Sequence, residues 1–392
     1  MTATKDSDQQ TGAGSIPDPV LRSIGFLSFF DRFATPPMLV VLANRTDLTL
    51  ADAVGLVASY SLLYALGQPL WGFISDRFGR VTVLRTALVG LLLAAIASTL
   101  FSAHVPLLIA RSAAGLMAGC LYPTLLTIIG DTRTGIERAR GLSDLQIYSA
   151  LGTTVATLAA GALAAFTDWR VVFGLPALGC LALLLFLRRA HDGAAHRRGR
   201  VDVRAAFSGA ALGVYGVAIL EGAVLMGILT YFVPALQHAN VPIAVAGLLA
   251  SGYGVGVIVG ARLMRRLVQR FTRTQLMGIG GVVLLVGYVA SSISQNPATI
   301  TVTAVLVGAS NAVLHSSVQG WATEVAPKAR ATAVSLFACS LFLGSSAGTF
   351  LTAGLAGNGE YGAIFLLGLV ATALLTAVVT LGHATWERRR VS

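Results

Sequence analysis

The sequence predicts an all-helical membrane protein with twelve spanning helices. Of its 392 residues, 55% are hydrophobic and 11% charged, and the mean hydropathy is +0.76. This is more apolar surface than a single soluble core accommodates. The apolar residues form runs of about 20, the length needed to cross a hydrocarbon layer about 30 Å thick. Charge collects in short basic segments between these runs, as in membrane-protein loops.

The twelve runs define the predicted spans. They lie at residues 21–43, 53–75, 82–102, 106–130, 142–166, 171–188, 207–234, 243–264, 275–294, 298–322, 331–355 and 361–384. Of the 28 basic residues, 24 fall in the tails and connections on one side, and only Arg45 and Arg170 fall on the other. Because basic loops stay in the cytoplasm, we expect a multi-pass protein of the cell (inner or plasma) membrane with both termini cytoplasmic.

Internal repetition predicts two halves. Gly55-Leu56-Val57-Ala58-Ser59 recurs 192 residues later as Gly247-Leu248-Leu249-Ala250-Ser251. A long charged segment separates spans 6 and 7, as expected for a linker between duplicated bundles. The predicted units are a cytoplasmic tail (1–20), an N-terminal six-helix bundle (21–188), a cytoplasmic linker (189–206), a C-terminal six-helix bundle (207–384) and a cytoplasmic tail (385–392).

The hairpin between spans 2 and 3 carries the sharpest motif. It reads Gly72-Phe73-Ile74-Ser75-Asp76-Arg77-Phe78-Gly79-Arg80. It resembles the signature loop of the major facilitator superfamily, with matches at Gly72, Asp76, Arg77, Gly79 and Arg80. The resemblance implies two pseudo-symmetric six-helix bundles (the major facilitator fold) and transport by alternating access.

The resemblance also implies a conformational latch. Asp131, at the end of span 4, stands where the family often has an acidic partner for the loop. Asp76 would then face the start of span 11 near Ala331 and Thr332, and Arg80 would bridge towards Asp131. A carboxylate at a helix N-terminus is favoured by about 0.3–1 kcal/mol, so its release could accompany rocking of the halves. The alternative is a solvated turn.

Charged residues inside spans are the candidates for proton coupling. A charged side chain at the centre of a spanning helix costs about 2.5–3.5 kcal/mol on insertion scales, so we expect each of these residues to have a function or a partner. Asp31 is either a carboxylate that exchanges a proton or the partner of Arg111 or Arg32 in a fixed ion pair. Arg111 matches the span 4 arginine that the family implicates in proton coupling, or it is structural. Glu221, in span 7, is either protonated or bonded to polar side chains. We expect Asp31 and Glu221 to face the central cavity near the membrane midplane.

Polar and aromatic side chains supply the candidates for a substrate cavity. His315 lies in span 10, and Gln319 follows it on the same helical face. His315 is otherwise a hydrogen-bonded packing residue, and most aromatic rings in spans pack against helices or lipid. The full set of candidates is Phe30, Tyr60, Tyr64, Tyr122, His315 and Gln319.

The predicted function is proton-coupled efflux (antiport) of a small amphipathic or apolar organic compound by a monomeric transporter. The alternatives are proton-coupled uptake of a sugar or organic acid, and a non-transporting membrane sensor. The antiporter motif of span 5 usually carries a proline that residues 152–164 lack, which weakens the export interpretation. The sequence shows no nucleophile–base pair, no metal-ligand spacing and no P-loop. We therefore expect no enzyme activity, cofactor or metal site. The arginines lie between apolar runs, so nucleic acid is not an expected partner, whereas the lipid bilayer is.

Overall fold

Twelve helices of the computed structural model are long and apolar enough to cross a membrane, which confirms the predicted count and fold class. The structure describes residues 16–188, 190–191 and 203–391, and this part of the chain contains no strand. Residues 1–15 of the predicted N-terminal tail (1–20) and most of the predicted linker (189–206) lie outside the described residues. In chain order, α1 to α12 are Asp18–Arg45, Leu50–Phe78, Arg80–Leu100, His104–Thr132, Gly135–Phe166, Trp169–Leu187, Gly209–His238, Ile243–Leu267, Arg273–Ile293, Pro297–Glu324, Thr332–Leu351 and Tyr361–Arg389.

Local sequence signals set several helix ends. α2 and α9 each begin with a capping box, in which Thr49 pairs with Asp52 and Thr272 with Gln275. Each box satisfies backbone N–H groups that have no partner within the helix. Short connections join α2 to α3 and α4 to α5, and they lie at the same end of the bundle as the segment between α6 and α7. We name this the linker end and the other the opposite end.

The helices pack in two equivalent sets. In the first half, α1 packs on α5, α2 on α4, and α3 on both α4 and α6. In the second half, α7 packs on α11, α8 on α10, and α9 on both α10 and α12. The halves meet through α2 with α11 and α5 with α8, which are again equivalent contacts. This confirms the two-bundle fold, while the exact limits of the predicted units stay predictions.

Glycines at equivalent positions bring helices together in both halves. A side chain at Gly115 of α4 would overlap the carbonyl oxygen of Tyr60 in α2. In the second half, Gly308 of α10 stands against the carbonyl oxygen of Tyr253 in α8 in the same way. Each member of the second pair lies 193 residues after its counterpart. Small residues allow this close approach of membrane helices, so the duplication extends to individual contacts.

The two halves touch towards the opposite end and separate towards the linker end. In α2, Ala58 accepts a hydrogen bond of 2.7 Å at its carbonyl oxygen from the hydroxyl of Ser346 in α11. In α5, the carbonyl oxygen of Thr157 lies against Gly247 of α8. Gly72 lies on the same face of α2 as Ala58, four helical turns closer to the linker end. It is exposed, and a side chain there would meet no atom within 4 Å.

Candidate functional site

Asp31 and Arg111 form a buried ion pair in the first half. A guanidinium nitrogen of Arg111 in α4 lies 3.1 Å from a carboxylate oxygen of Asp31 in α1, and both side chains are 1% exposed. Arg111 also donates to the backbone carbonyl of Asp31 at 3.3 Å. Of the two arginines that the sequence offered as partners, the structure therefore selects Arg111 for Asp31.

Aromatic side chains complete this cluster. The hydroxyl of Tyr60 in α2 donates a 2.8 Å hydrogen bond to the second carboxylate oxygen of Asp31. The Arg111 guanidinium lies over the rings of Tyr60 and Phe173, at 4.8 and 4.7 Å from their centroids. A buried pair needs such added contacts because desolvation offsets most of its Coulomb attraction. Four helices, α1, α2, α4 and α6, thus hold one titratable carboxylate.

Glu221 and His315 form the corresponding cluster of the second half. Nδ1 of His315 in α10 lies 3.2 Å from Oε1 of Glu221 in α7, and the carboxylate is 0% exposed. The other oxygen, Oε2, has no hydrogen-bond partner among the described residues. The imidazole stacks on Phe337 at a centroid distance of 5.9 Å. The sequence offered polar side chains as partners for Glu221, and the structure brings it together with His315.

The second cluster is not a copy of the first. The positions 193 residues after Asp31 and Arg111 are Val224 and Ala304, both apolar. A π-helical turn, Ala223–Gly227, begins two residues after Glu221, and another, Asn311–His315, ends at His315. Such turns are rare and are enriched at functional sites. Periodicity in the sequence did not predict them.

The candidates differ in accessibility. Asp31 and Glu221 are both buried, each beside a partner from its own half, and that they face the central cavity stays a prediction. Other side chains do reach open space: Gln319 is exposed, and Tyr122 donates a 2.8 Å hydrogen bond to exposed Gln146. Those candidates that are at least partly exposed are Tyr122, His315 and Gln319, and those buried are Phe30, Tyr60 and Tyr64.

The loop at residues 72–80 forms the expected arginine bridge. Arg80 lies 2.7 Å from Asp76 and 3.7 Å from Asp131, so one guanidinium joins the loop to the end of α4. Gly79 has φ 97°, which favours glycine, and it makes the tight turn between α2 and α3. The side chain of Asp76 is 62% exposed. The side chain of Ala331, its expected neighbour, is outside the described residues.

A second bridge of the same kind occupies the other half. Arg273, at the start of α9, lies 2.8 Å from Glu324 at the end of α10. These residues follow Arg80 and Asp131 by 193 positions each, so the two bridges are equivalent. The sequence motifs missed the second one because the glycines and the aspartate of the first loop are replaced there. The repeat offset is the signal that could have found it.

Arg32 joins the two halves and was not predicted as a site residue. Its guanidinium lies 3.8 Å from the ring centroid of Phe342 in α11 and donates to the sulfur of Met226 in α7 at 3.3 Å. Within the first half, the Arg32 guanidinium lies 5.0 Å from the ring centroid of Tyr64 in α2. A buried cation therefore lies where α1, α2, α7 and α11 meet.

Comparison with known proteins identifies the family. The sequence model of the Major Facilitator Superfamily matches residues 23–237 and again 211–390. The quinolone resistance protein NorB of Staphylococcus aureus (strain bovine RF122 / ET3-1) is 28% identical over 170 residues. That match covers 43% of this chain and 36% of NorB, so the chain matches about a third of the length of these curated relatives.

Solved transporter structures share the fold along almost the whole chain. A bacterial homologue of the human lysosomal transporter Spinster, in an inward-facing and unoccupied conformation, superposes with a TM-score of 0.76 at 19% identity, covering 96% of this chain and 99% of that one. The nucleoside transporter NupG gives 0.76 at 14% identity (93% and 98% coverage), and a D-xylose–proton symporter gives 0.72 at 18% (91% and 96%). Identities this low show the fold alone. Since the family model matches nearly the full length in two halves, the chain belongs to the major facilitator superfamily of transporters.

Proposed function

We propose that this protein is a proton-coupled antiporter that exports a small amphipathic or apolar organic compound. The observation that carries the proposal is the Asp31–Arg111–Tyr60 cluster, in which one titratable carboxylate is held inside the half that must move. Export is favoured over uptake by the partial similarity to NorB, a protein named for quinolone resistance.

Protonation of the cluster can change how its side chains pack. With Asp31 ionised, its oxygens accept hydrogen bonds from Arg111 and Tyr60. Protonation removes the charge that holds Arg111, which leaves a buried guanidinium without its counter-ion. A conformation that lets Arg111 find another partner then becomes favoured, because a ligand shifts an equilibrium by its differential affinity for the two states. A proton moving down about 100 mV adds about 2.3 kcal/mol to the cycle.

The arrangement of the two halves supports assigning this conformation to one step of the transport cycle. If the linker end is cytoplasmic, as the basic loops predict, the halves are apart on the cytoplasmic side and in contact on the outer side. This is the state in which an exporter accepts substrate. The ionised Asp31–Arg111 pair would then belong to the inward-facing, proton-released step, and protonation from the outside would belong to the outward-facing one.

The two arginine bridges are placed to act when the linker end closes. Arg80–Asp131 and Arg273–Glu324 both lie at the linker end, one in each half. Closure at that end would bring the face of α2 that carries Gly72 against α11. We propose that the first bridge positions the 72–80 loop as a latch in that closed state, and that the second supports the α8–α9 connection in the same way.

Glu221 is the second candidate for the proton. Among the described residues, one of its oxygens has no hydrogen-bond partner and the other contacts His315, and π-helical turns lie near both residues. We rank Asp31 first because its arginine partner gives protonation a direct structural consequence. Glu221 is assigned to substrate contact or to a second protonation step.

Transport in proteoliposomes tests the proposal. Purified protein is reconstituted with a pH-sensitive dye inside, and compounds are screened for substrate-induced proton movement. We expect proton movement opposite to substrate in wild type and its loss in Asp31→Asn, with equilibrative exchange retained. Proton movement in the same direction as substrate would instead identify symport. Unchanged coupling in Asp31→Asn together with loss in Glu221→Gln would transfer the role to α7, and unchanged coupling in both would refute it.

A further inference from the structure

Arg32 is a buried cation without an acidic partner. Its side chain is 8% exposed. Among the residues that the structure describes, no aspartate or glutamate lies within 4 Å of its guanidinium. Arg111, the other arginine buried in a span, is by contrast matched by Asp31 at 3.1 Å. Burial of an unmatched charge is strongly unfavourable, so a counter-ion is expected from elsewhere.

Arg32 has more N–H donors than the hydrogen-bond partners that the described residues supply. A guanidinium has five N–H donors, all in its plane and none on its faces. The ring of Phe342, at 3.8 Å, and that of Tyr64, at 5.0 Å, make cation–π contacts with this group. Among the described residues, Arg32 forms hydrogen bonds with the sulfur of Met226, which is a weak acceptor, and with the side chain of Tyr64. An anion with two oxygens could accept two further N–H groups side by side.

Arg32 adjoins a cavity between the two halves. A cavity between the halves is lined by Phe33 and Met226, and both contact the Arg32 guanidinium. Tyr253 of α8 lines the same cavity from the second half. Because the Arg32 contacts connect α1 to α7 and α11, an anion bound here would touch both halves at once.

We propose that Arg32 binds the carboxylate of the substrate, so that the transported compound is an amphipathic organic carboxylate. This rests on the proposed transport function and narrows its substrate class. The carboxylate pairs with the free N–H edge of Arg32. The apolar part packs against the aromatic side chains around it, with Phe33, Tyr64 and Phe342 as the nearest rings. A planar carboxylate suits this arginine because its two oxygens match the guanidinium fork.

Binding to purified protein tests this without any need for a proton gradient. The unfolding midpoint is measured against benzoate, phenylacetate, naphthoate and naphthylacetate, each beside its carboxamide and its trimethylammonium counterpart. A ligand that binds only the folded state raises the midpoint in a concentration-dependent way, which gives an apparent affinity. We expect one or more carboxylates to stabilise the wild type, and their carboxamides to do so at least about tenfold more weakly, because a charge-assisted pair is lost.

Variants at Arg32 test whether this residue binds the carboxylate. Arg32→Gln should weaken carboxylate binding by about 30-fold or more, as for loss of one partner of a buried charge pair. Arg32→Lys keeps the charge but not the fork and should show a smaller loss. Arg170→Gln removes a positive charge from a half-exposed position that pairs with Asp168, and it should change nothing.

Several results would overturn the assignment. They are equal stabilisation by carboxamides, stabilisation by the ammonium compounds alone, no stabilisation by any carboxylate at about 10 mM, or undiminished carboxylate binding in Arg32→Gln. If Arg32→Gln does not fold, the wild-type comparison of carboxylate with carboxamide and the Arg32→Lys variant still decide. The coupling measured for Asp31→Asn is independent of these outcomes, so failure here leaves the antiport proposal standing.

Discussion

Removal of Arg111 should destabilise the protein. Arg111→Gln leaves the Asp31 carboxylate buried, with Tyr60 as its remaining side-chain donor. Loss of one partner of a buried pair costs about 3–5 kcal/mol. For a long chain about 2 °C of unfolding midpoint is lost per kcal/mol, so we expect a fall of roughly 6–10 °C. The measurement is thermal unfolding of purified protein in one detergent.

The deficit comes from the charge of the lone Asp31 carboxylate, since desolvation penalises the charged form. In the double variant Asp31→Asn with Arg111→Gln, this charge is absent and most of the deficit should disappear. Equal deficits in the single and double variants would refute the interpretation of this cluster as a charge-balanced pair.

Three further outcomes are expected. Gly115→Val should prevent stable folding because its side chain would overlap the α2 backbone, whereas Gly72→Ala, at an open position, should fold normally; a size-exclusion profile of the two variants compares them directly. Arg273→Gln should slow transport about as much as Arg80→Gln without loss of expression, since each breaks one arginine bridge; wild-type transport rates in Arg273→Gln would remove the second bridge from the mechanism. Single cysteines in residues 188–204 should resist an impermeant thiol reagent added to intact cells, and labelling from outside would reverse the predicted topology.

The helical architecture could be predicted because it depends on local composition. Each apolar run is as long as the hydrocarbon layer is thick, and backbone groups within lipid must be satisfied inside the segment, so each run becomes a helix. The arginine bridge from Arg80 to Asp131 could be predicted from a family motif. Its equivalent between Arg273 and Glu324 could not, because the surrounding motif residues differ and only the repeat offset links them.

The sequence by itself determined the twelve spans, the two halves and the small set of charges that must find partners. Which partner each charge takes was decided by tertiary structure. Asp31 pairs with Arg111 and not with its neighbour Arg32. The rotation of α1 turns Asp31 towards α4 and turns Arg32 towards α7 and α11. That rotation depends on helix packing, including the close glycine contact of α2 with α4, which no single segment encodes. The same packing places Arg32 between the halves, where no acidic residue in the described part of the chain lies within 4 Å of its guanidinium.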